Sequence, residues 1–320
     1  MRHIITFTKQ YLYEKITGGK TKSDRATREF LKGKCIAGSE KVKTTEEINQ
    51  IIYDLIVSGK PFLAGRLGGG ELSTMKIFDF EIKSRYEKIM NQMGTCAGMF
   101  PCTDAIGKRF MELMKSSLSE ADVMGVWAQP FEKYYLNKYG EKALKTAYIL
   151  DLEPWACPNK PWSAALEGKK VLIIHPFEET IKKQYQKREQ IFEGTSILPQ
   201  FQLETLKAVQ TAAGATDARF SDWFQALDWM YEEAMKKDFD ITIIGCGAYG
   251  FPLAAKLKQA GKQAIHLGGT TQIMFGIKGK RWIEGETFAY VQRFFNSAWV
   301  RPDTSEKPEG AKKVEGACYW

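Results

Sequence analysis

Gly245-Cys-Gly247-Ala-Tyr-Gly250 carries the GxGxxG spacing between a β-branched run, Phe239-Asp-Ile-Thr-Ile-Ile244, and a helical pattern from Phe251 to Ala260. Without Cβ atoms, the backbone of such a turn can approach a pyrophosphate. The helix that follows offers free N–H groups and the positive end of its dipole. That chemistry suits either a dinucleotide or the diphosphate of a single nucleotide. A dinucleotide site also wants an Asp or Glu roughly 20 residues on, to hold the ribose hydroxyls. The corresponding stretch, Ala264-Ile-His-Leu-Gly268, has no carboxylate. A nucleoside diphosphate is therefore the favoured ligand, and NAD is not expected. Glycines that merely permit tight strand–helix packing are the structural alternative.

A second glycine turn, Gly68-Gly69-Gly70, follows Arg66 and leads into a helix beginning near Glu71. The glycines are candidates for backbone contact with a diphosphate. Glu71 is a candidate base or cation ligand, although an acid at a helix start also simply complements the dipole. His175 closes the run Val-Leu-Ile-Ile-His, and His266 precedes Gly268-Gly269. In open α/β sheets ligands sit outside the carboxyl ends of strands, where both histidines fall. Each has the ordinary alternative of a satisfied structural histidine. Gln272–Trp282 contains Lys278, Lys280 and Arg281 close to Gly268-Gly269, which makes it a candidate anion clamp or else a solvated loop.

These residues need a parallel sheet to bring them together. Strands are predicted at 61–66, 122–127, 146–151, 170–175, 239–244 and 263–267. Helices are predicted over 45–58 (with the capping-box pair Thr44 and Glu47 at its start), 104–118, 178–192, 222–236 and 251–260. A further helical segment ends near Gly140. Alternation of strands with helices implies right-handed crossovers and a Rossmann-like, mostly parallel sheet with helices on both faces. Residues 1–43 read as a basic leading arm with some helix, and 44–300 as the main domain. The Pro- and Trp-rich stretch 152–162 is a possible internal boundary, and 301–320 a tail whose closing Tyr319 and Trp320 pack back on the body.

Six scattered cysteines without a CxxC pair and only three histidines leave few ligands for zinc and fit a reducing compartment. No apolar run approaches the ~18 residues of a membrane span. The N-terminus lacks a signal-peptide pattern, so a cytoplasmic protein is expected. The net charge of +8 suits a phosphate-bearing partner, with peripheral attraction to anionic headgroups as a second option. No nucleic-acid-binding motif is present.

Arg66-Leu-Gly-Gly-Gly-Glu-Leu72 resembles the Arg-Ile-Gly-Asp-Gly-Glu segment of the GT-D-type glycosyltransferase domain family. Lys262-Gln-Ala-Ile-His-Leu-Gly-Gly269 is similar to that family's C-terminal region. His175-Pro-Phe177, Gln272–Trp282 and the closing Tyr-Trp further resemble proteins of bacterial surface-polysaccharide clusters, and the similarity spans residues 45–300. The resemblance implies a Rossmann-like fold and transfer of a sugar from a nucleoside-diphosphate sugar, a UDP-sugar first of all. The acceptor it implies is a glycan or lipid-linked precursor. Together with the residue readings above, it leaves Glu71, His175 and His266 as catalytic candidates. The donor candidates are Arg66, Gly68, Gly69, Gly70, Gly245, Gly247, Gly250, Gly268, Gly269, Gln272, Lys278 and Arg281. The family pairs Asp with Glu on this turn, which suits Mg²⁺ or Mn²⁺ on a diphosphate. Gly69 stands in the place of that Asp, which puts metal dependence in doubt and leaves Arg66, Lys278 or Arg281 to neutralise the leaving group. The alternatives are an NAD(P)-dependent oxidoreductase, on the GxGxxG alone, and a non-catalytic member of a polysaccharide assembly complex, on Gly69.

Overall fold

The Val/Ile/Leu-rich runs form one sheet. The computed structural model describes residues 24–320, so the first part of the basic arm, with His3, Lys20 and Lys22, lies outside the described residues. The strands are β1 Phe62–Arg66, β2 Val123–Val126, β3 Lys145–Tyr148, β4 Lys170–His175, β5 Gln202–Lys207, β6 Ile241–Ile244 and β7 Gln263–His266. Their order is β3-β2-β1-β7-β6-β4-β5, and every pairing is parallel. The fold is thus α/β and Rossmann-like.

Period-two alternation fills both faces. Leu172, Ile174, Ile244 and Ala264 enter one apolar cluster; Val171, Ile173, Ile241, Ile243 and Ile265 enter the other. By the same parity His175 and His266, both at strand ends, project to opposite faces. The first cluster takes in the helices Gly69–Asp79, Tyr86–Ala97, Asp104–Leu118, Trp223–Met235 and Gly250–Gln259. The second takes in the helices Thr45–Val57 and Glu178–Tyr185 and the chain beyond residue 267.

Local chemistry sets several boundaries. Glu47 N donates to Thr44 Oγ1 (3.2 Å) and Thr44 N to Glu47 Oε2 (2.8 Å), a complete capping box ahead of the helix Thr45–Val57. Thr103 and Asp222 cap the helices Asp104–Leu118 and Trp223–Met235. The predicted helix 178–192 breaks into Glu178–Tyr185 and Arg188–Ile191, where Phe192 turns inward against Trp155 and Trp299.

Besides short helical turns, one strand and one longer helix escape sequence reading. The edge strand β5, Gln-Leu-Glu-Thr-Leu-Lys, buries only Thr205 and Leu206 and so lacks an apolar run. The helix Tyr86–Ala97 is polar apart from its buried stripe of Ile89, Met90 and Met93.

The segments read as arm, boundary and tail all join the body. Leu31, Ile36 and Ala37 are buried, Arg28 pairs with Asp151, and Lys43 bridges to Ala147 of β3. Trp155 and Trp162 are wholly buried, and Asn49 holds the 152–162 stretch through Lys160 O (2.8 Å) and Trp162 N (2.7 Å). Trp320 is buried too. No helix among the described residues is long and apolar enough to cross a membrane.

Candidate functional site at the β4–β6 switch point

β4 and β6 are neighbours whose outgoing helices lie on opposite faces: Ile181 of Glu178–Tyr185 belongs to one cluster and Leu253 of Gly250–Gln259 to the other. Such a switch point opens a crevice beyond the strands' carboxyl ends. A cleft open to solvent occupies it. Its floor is His175 from β4 and Gly245–Gly247 from β6. One wall is the end of the Tyr86–Ala97 helix with the loop 209–212, and the other is Gly269, Gln272 and the tail residues Tyr319 and Trp320.

Glycine is required where these elements converge. A Cβ on Gly245 would lie 2.6 Å from His175 Cδ2 and 2.7 Å from the Gly268 carbonyl, and Gly247 has a left-handed φ of +58°. A Cβ on Gly269 would strike the Tyr319 ring at 2.2 Å. The tail is held in place by main-chain bonds, Arg281 N to Cys318 O (3.0 Å) and Lys280 N to Trp320 O (3.2 Å). Gln272 Nε2 adds a bond to Tyr319 O (3.1 Å).

His175 is buried, and burial pushes its pKa down to about 3. Its Nδ1 accepts the N–H of Phe177 at 3.0 Å. The imidazole is therefore neutral with its proton on Nε2, a hydrogen-bond donor at the void's edge. His266 is also pushed down to about 3, first by burial and then by Arg66. It lies outside the void, under the Gly250–Gln259 helix, and its Nδ1 has no partner. The third glycine of the GxGxxG exists for this ring: a Cβ on Gly250 would fall 2.2 Å from both Cε1 and Nδ1 of His266. Gly250→Ala should accordingly lower stability by about 1–3 kcal/mol through overpacking. Denaturant unfolding of the single variant against Gly250→Ala/His266→Ser checks this, since the second change should return most of the loss.

The remaining sequence-predicted residues are distributed differently. Arg66, at the end of β1, reaches Thr270 Oγ1 (2.7 Å) and Glu153 Oε1 (3.5 Å) and lies against Gly268. Its charge already has an internal partner. Arg281 pairs with Glu315 and stacks on Tyr319. Lys278 is half-buried with its ammonium over the Phe295 ring. Gly68, Gly69, Gly70 and Glu71 form the first turn of the Gly69–Asp79 helix beside loop 127–131, away from the void's lining.

Glu71 folds back over Gly68, where a Cβ would lie 2.2 Å from its Oε2. Burial raises its pKa, while its own backbone N–H, donating to the carboxylate, opposes the shift. A hard divalent cation takes about six oxygen ligands, and on a nucleotide it is held by one or two carboxylates together with the phosphates. Glu71 stands alone, and no group of three His, Cys, Asp or Glu residues able to hold a metal occurs among the described residues. One carboxylate holds such a cation poorly by itself, so the residues present form no cation cage of their own. Gly69 is not glycine for conformational reasons: its Cβ position meets only Gln129 Oε1 at 3.4 Å and the Trp127 ring at 3.9 Å.

The void's other walls, Cys96–Ala97 and Val209–Ala212, carry no motif, and Tyr249 enters as the unspecified position before the third glycine of the GxGxxG. Loop 209–212 follows the strand that the sequence conceals.

No family model matches the chain, and no curated protein matches it. Two solved structures are similar. One is a domain of unknown function 1792 described as having a distinct glycosyltransferase fold, at 15% identity and a TM-score of 0.44 over 89% of this chain and 96% of that one. The other is a selenomethionine-substituted domain of unknown function 1792, at 14% identity and a TM-score of 0.42 over 82% and 96%. Both are domains of the type that the Arg66–Leu72 segment resembles.

Proposed function

We propose that this protein is a glycosyltransferase that moves a sugar from a nucleoside-diphosphate donor, a UDP-sugar first of all, onto a glycan or lipid-linked precursor. The observation that carries the reading is the void at the β4–β6 switch point, where a glycine turn, a neutral His175 and two aromatic rings converge. The Gly245–Gly250 turn offers backbone N–H groups to the diphosphate. His175, with its proton on Nε2, donates to an oxygen and spares the leaving group a competing base. Tyr319 and Trp320 present rings of the kind on which a nucleobase or sugar stacks. Glu71, with its raised pKa, is the candidate base for the acceptor hydroxyl. β7, the strand after the glycine turn, ends in His266-Leu-Gly268 without a carboxylate for a dinucleotide's ribose, which disfavours the oxidoreductase.

A thermal-shift panel of UDP, GDP, CMP, UDP-sugars, NAD⁺ and NADP⁺, each with Mn²⁺ and with EDTA, tests this. A ligand at ~100 times its dissociation constant adds about 2.7 kcal/mol of stability. The expected result is a shift with one nucleoside diphosphate that survives EDTA. A shift with NAD⁺ or NADP⁺ alone would remove the transferase reading.

A further inference from the structure

The loop after β2 is built around a buried acid that the site above does not use. Glu132 is 3% exposed, and burial raises its pKa to about 8. It accepts the N–H of Trp127 (3.1 Å) and of Gln129 (3.2 Å), and Ala128 N–H contributes as well. Ala128 and Phe131 have left-handed φ angles of 59° and 68°. Such angles cost non-glycine residues of order 1 kcal/mol or more and persist only where the surroundings over-determine them. Glu132 supplies that determination, and Trp127 Nε1 adds a bond to Leu67 O (3.1 Å).

What the loop's shape achieves is a placement. Gln129 Oε1 sits 3.4 Å from the Cβ position of Gly69, with the Trp127 ring at 3.9 Å, while the Glu71 carboxylate covers Gly68. An amide, an indole and a carboxylate thus surround one glycine turn. All three side chains are partly exposed, and the side-chain amide of Gln129 has no hydrogen-bond partner among the described residues. The partly exposed edge of an indole beside a free amide offers a sugar apolar contact for its C–H groups and hydrogen bonds for its hydroxyls. Had Gly69 been Asp, its carboxylate would have entered the same space.

We infer that loop 127–131 and the Gly68–Glu71 turn form a second, sugar-binding subsite distinct from the switch-point void, with Trp127 and Gln129 as its contacts and Glu132 as the residue that positions them. Under the transferase reading, on which this assignment of role rests, it is the acceptor subsite, and it sets an acceptor hydroxyl beside Glu71.

Saturation-transfer NMR with the methyl glycosides of glucose, galactose, N-acetylglucosamine and rhamnose tests the subsite without turnover. The wild-type chain should transfer saturation to at least one of them. Gln129→Ala should weaken that binding by about tenfold, the weight of a hydrogen bond to a hydroxyl, and leave the nucleotide thermal shift unchanged. Glu132→Gln, which keeps the volume but replaces one of the oxygens accepting these three N–H groups with an NH2 that cannot accept, should weaken glycoside binding in parallel. A nucleotide shift without any glycoside signal overturns the subsite and leaves the transferase reading standing. A glycoside signal unaffected by Gln129→Ala also overturns it. A glycoside signal lost in Gln129→Ala but with no nucleotide shift in the wild type supports the subsite and removes the transferase reading.

Discussion

Arg66→Met should cost about 3 kcal/mol of stability, and the loss should shrink as the pH is lowered. Arg66 carries the charge opposite Glu153, whose side chain is wholly buried and also accepts the hydroxyl of Tyr290 at 2.6 Å. Removing one partner of a buried ion pair leaves the other uncompensated, at about 3–5 kcal/mol. The 3.5 Å separation and the slight exposure of Arg66 place the effect at the lower end. Burial already raises the Glu153 pKa, and Arg66 is the first influence holding it down. Without Arg66 the folded-state pKa rises further. A carboxyl whose folded pKa exceeds its unfolded value, about 4.3 for Glu, is protonated in both states at lower pH and imposes no penalty there. The penalty grows as pH climbs from the unfolded value through the folded one. Urea unfolding at pH 5 and pH 8 should show the larger deficit at pH 8, and Arg66→Met/Glu153→Gln should recover much of it. An equal deficit at both pH values would mean that lost packing of the long side chain, and not the unpaired acid, is responsible.

The same residue explains how far the sequence could be read. Arg66 was legible as a polar group at a strand end, because period-two burial and the Gly68–Gly70 turn fix where β1 stops. Its partner was not, since Glu153 lies in a stretch whose prolines and tryptophans read as a loop and which folds as buried 3-10 turns. Local signals located each element they belong to: the capping box of Thr44, the Thr103 and Asp222 caps, the β-branched runs of β4 and β6. They carried no information on lateral order, and β1 beside β7 joins residues about two hundred positions apart. The GxGxxG was equally plain, yet its glycines do three different things. Gly245 yields to His175 and Thr271, Gly247 supplies a left-handed turn, and Gly250 makes room for His266. Spacing alone could not separate these uses, because each depends on what another strand brings up against the turn. Likewise both histidines stand at strand ends, but only parity within the assembled sheet shows that they face opposite ways, one to the void and one beneath a helix.

That separation sharpens the catalytic expectation. With His175 donating from Nε2 and His266 buried beneath the Gly250–Gln259 helix, the partly exposed Glu71 is the remaining candidate base, and Glu71→Gln should reduce sugar transfer by about 10²–10⁴-fold, the usual contribution of a positioned proton acceptor. The substitution keeps volume and hydrogen-bonding length, so stability should change little, and the nucleotide thermal shift should be unaffected because Glu71 does not line the void. The sign of the pH effect follows from the raised pKa: a base must be ionised, so wild-type kcat/KM should climb with pH through a pKa above that of an ordinary glutamate and then level off. Glu71→Gln should flatten that limb. If transfer is lost but the acidic limb persists in the residual activity, the titrating group is another residue and Glu71 acts by position only. If transfer survives intact, Glu71 serves the helix N-terminus as a capping acid, and the turn that resembles a glycosyltransferase motif has kept its shape without its chemistry.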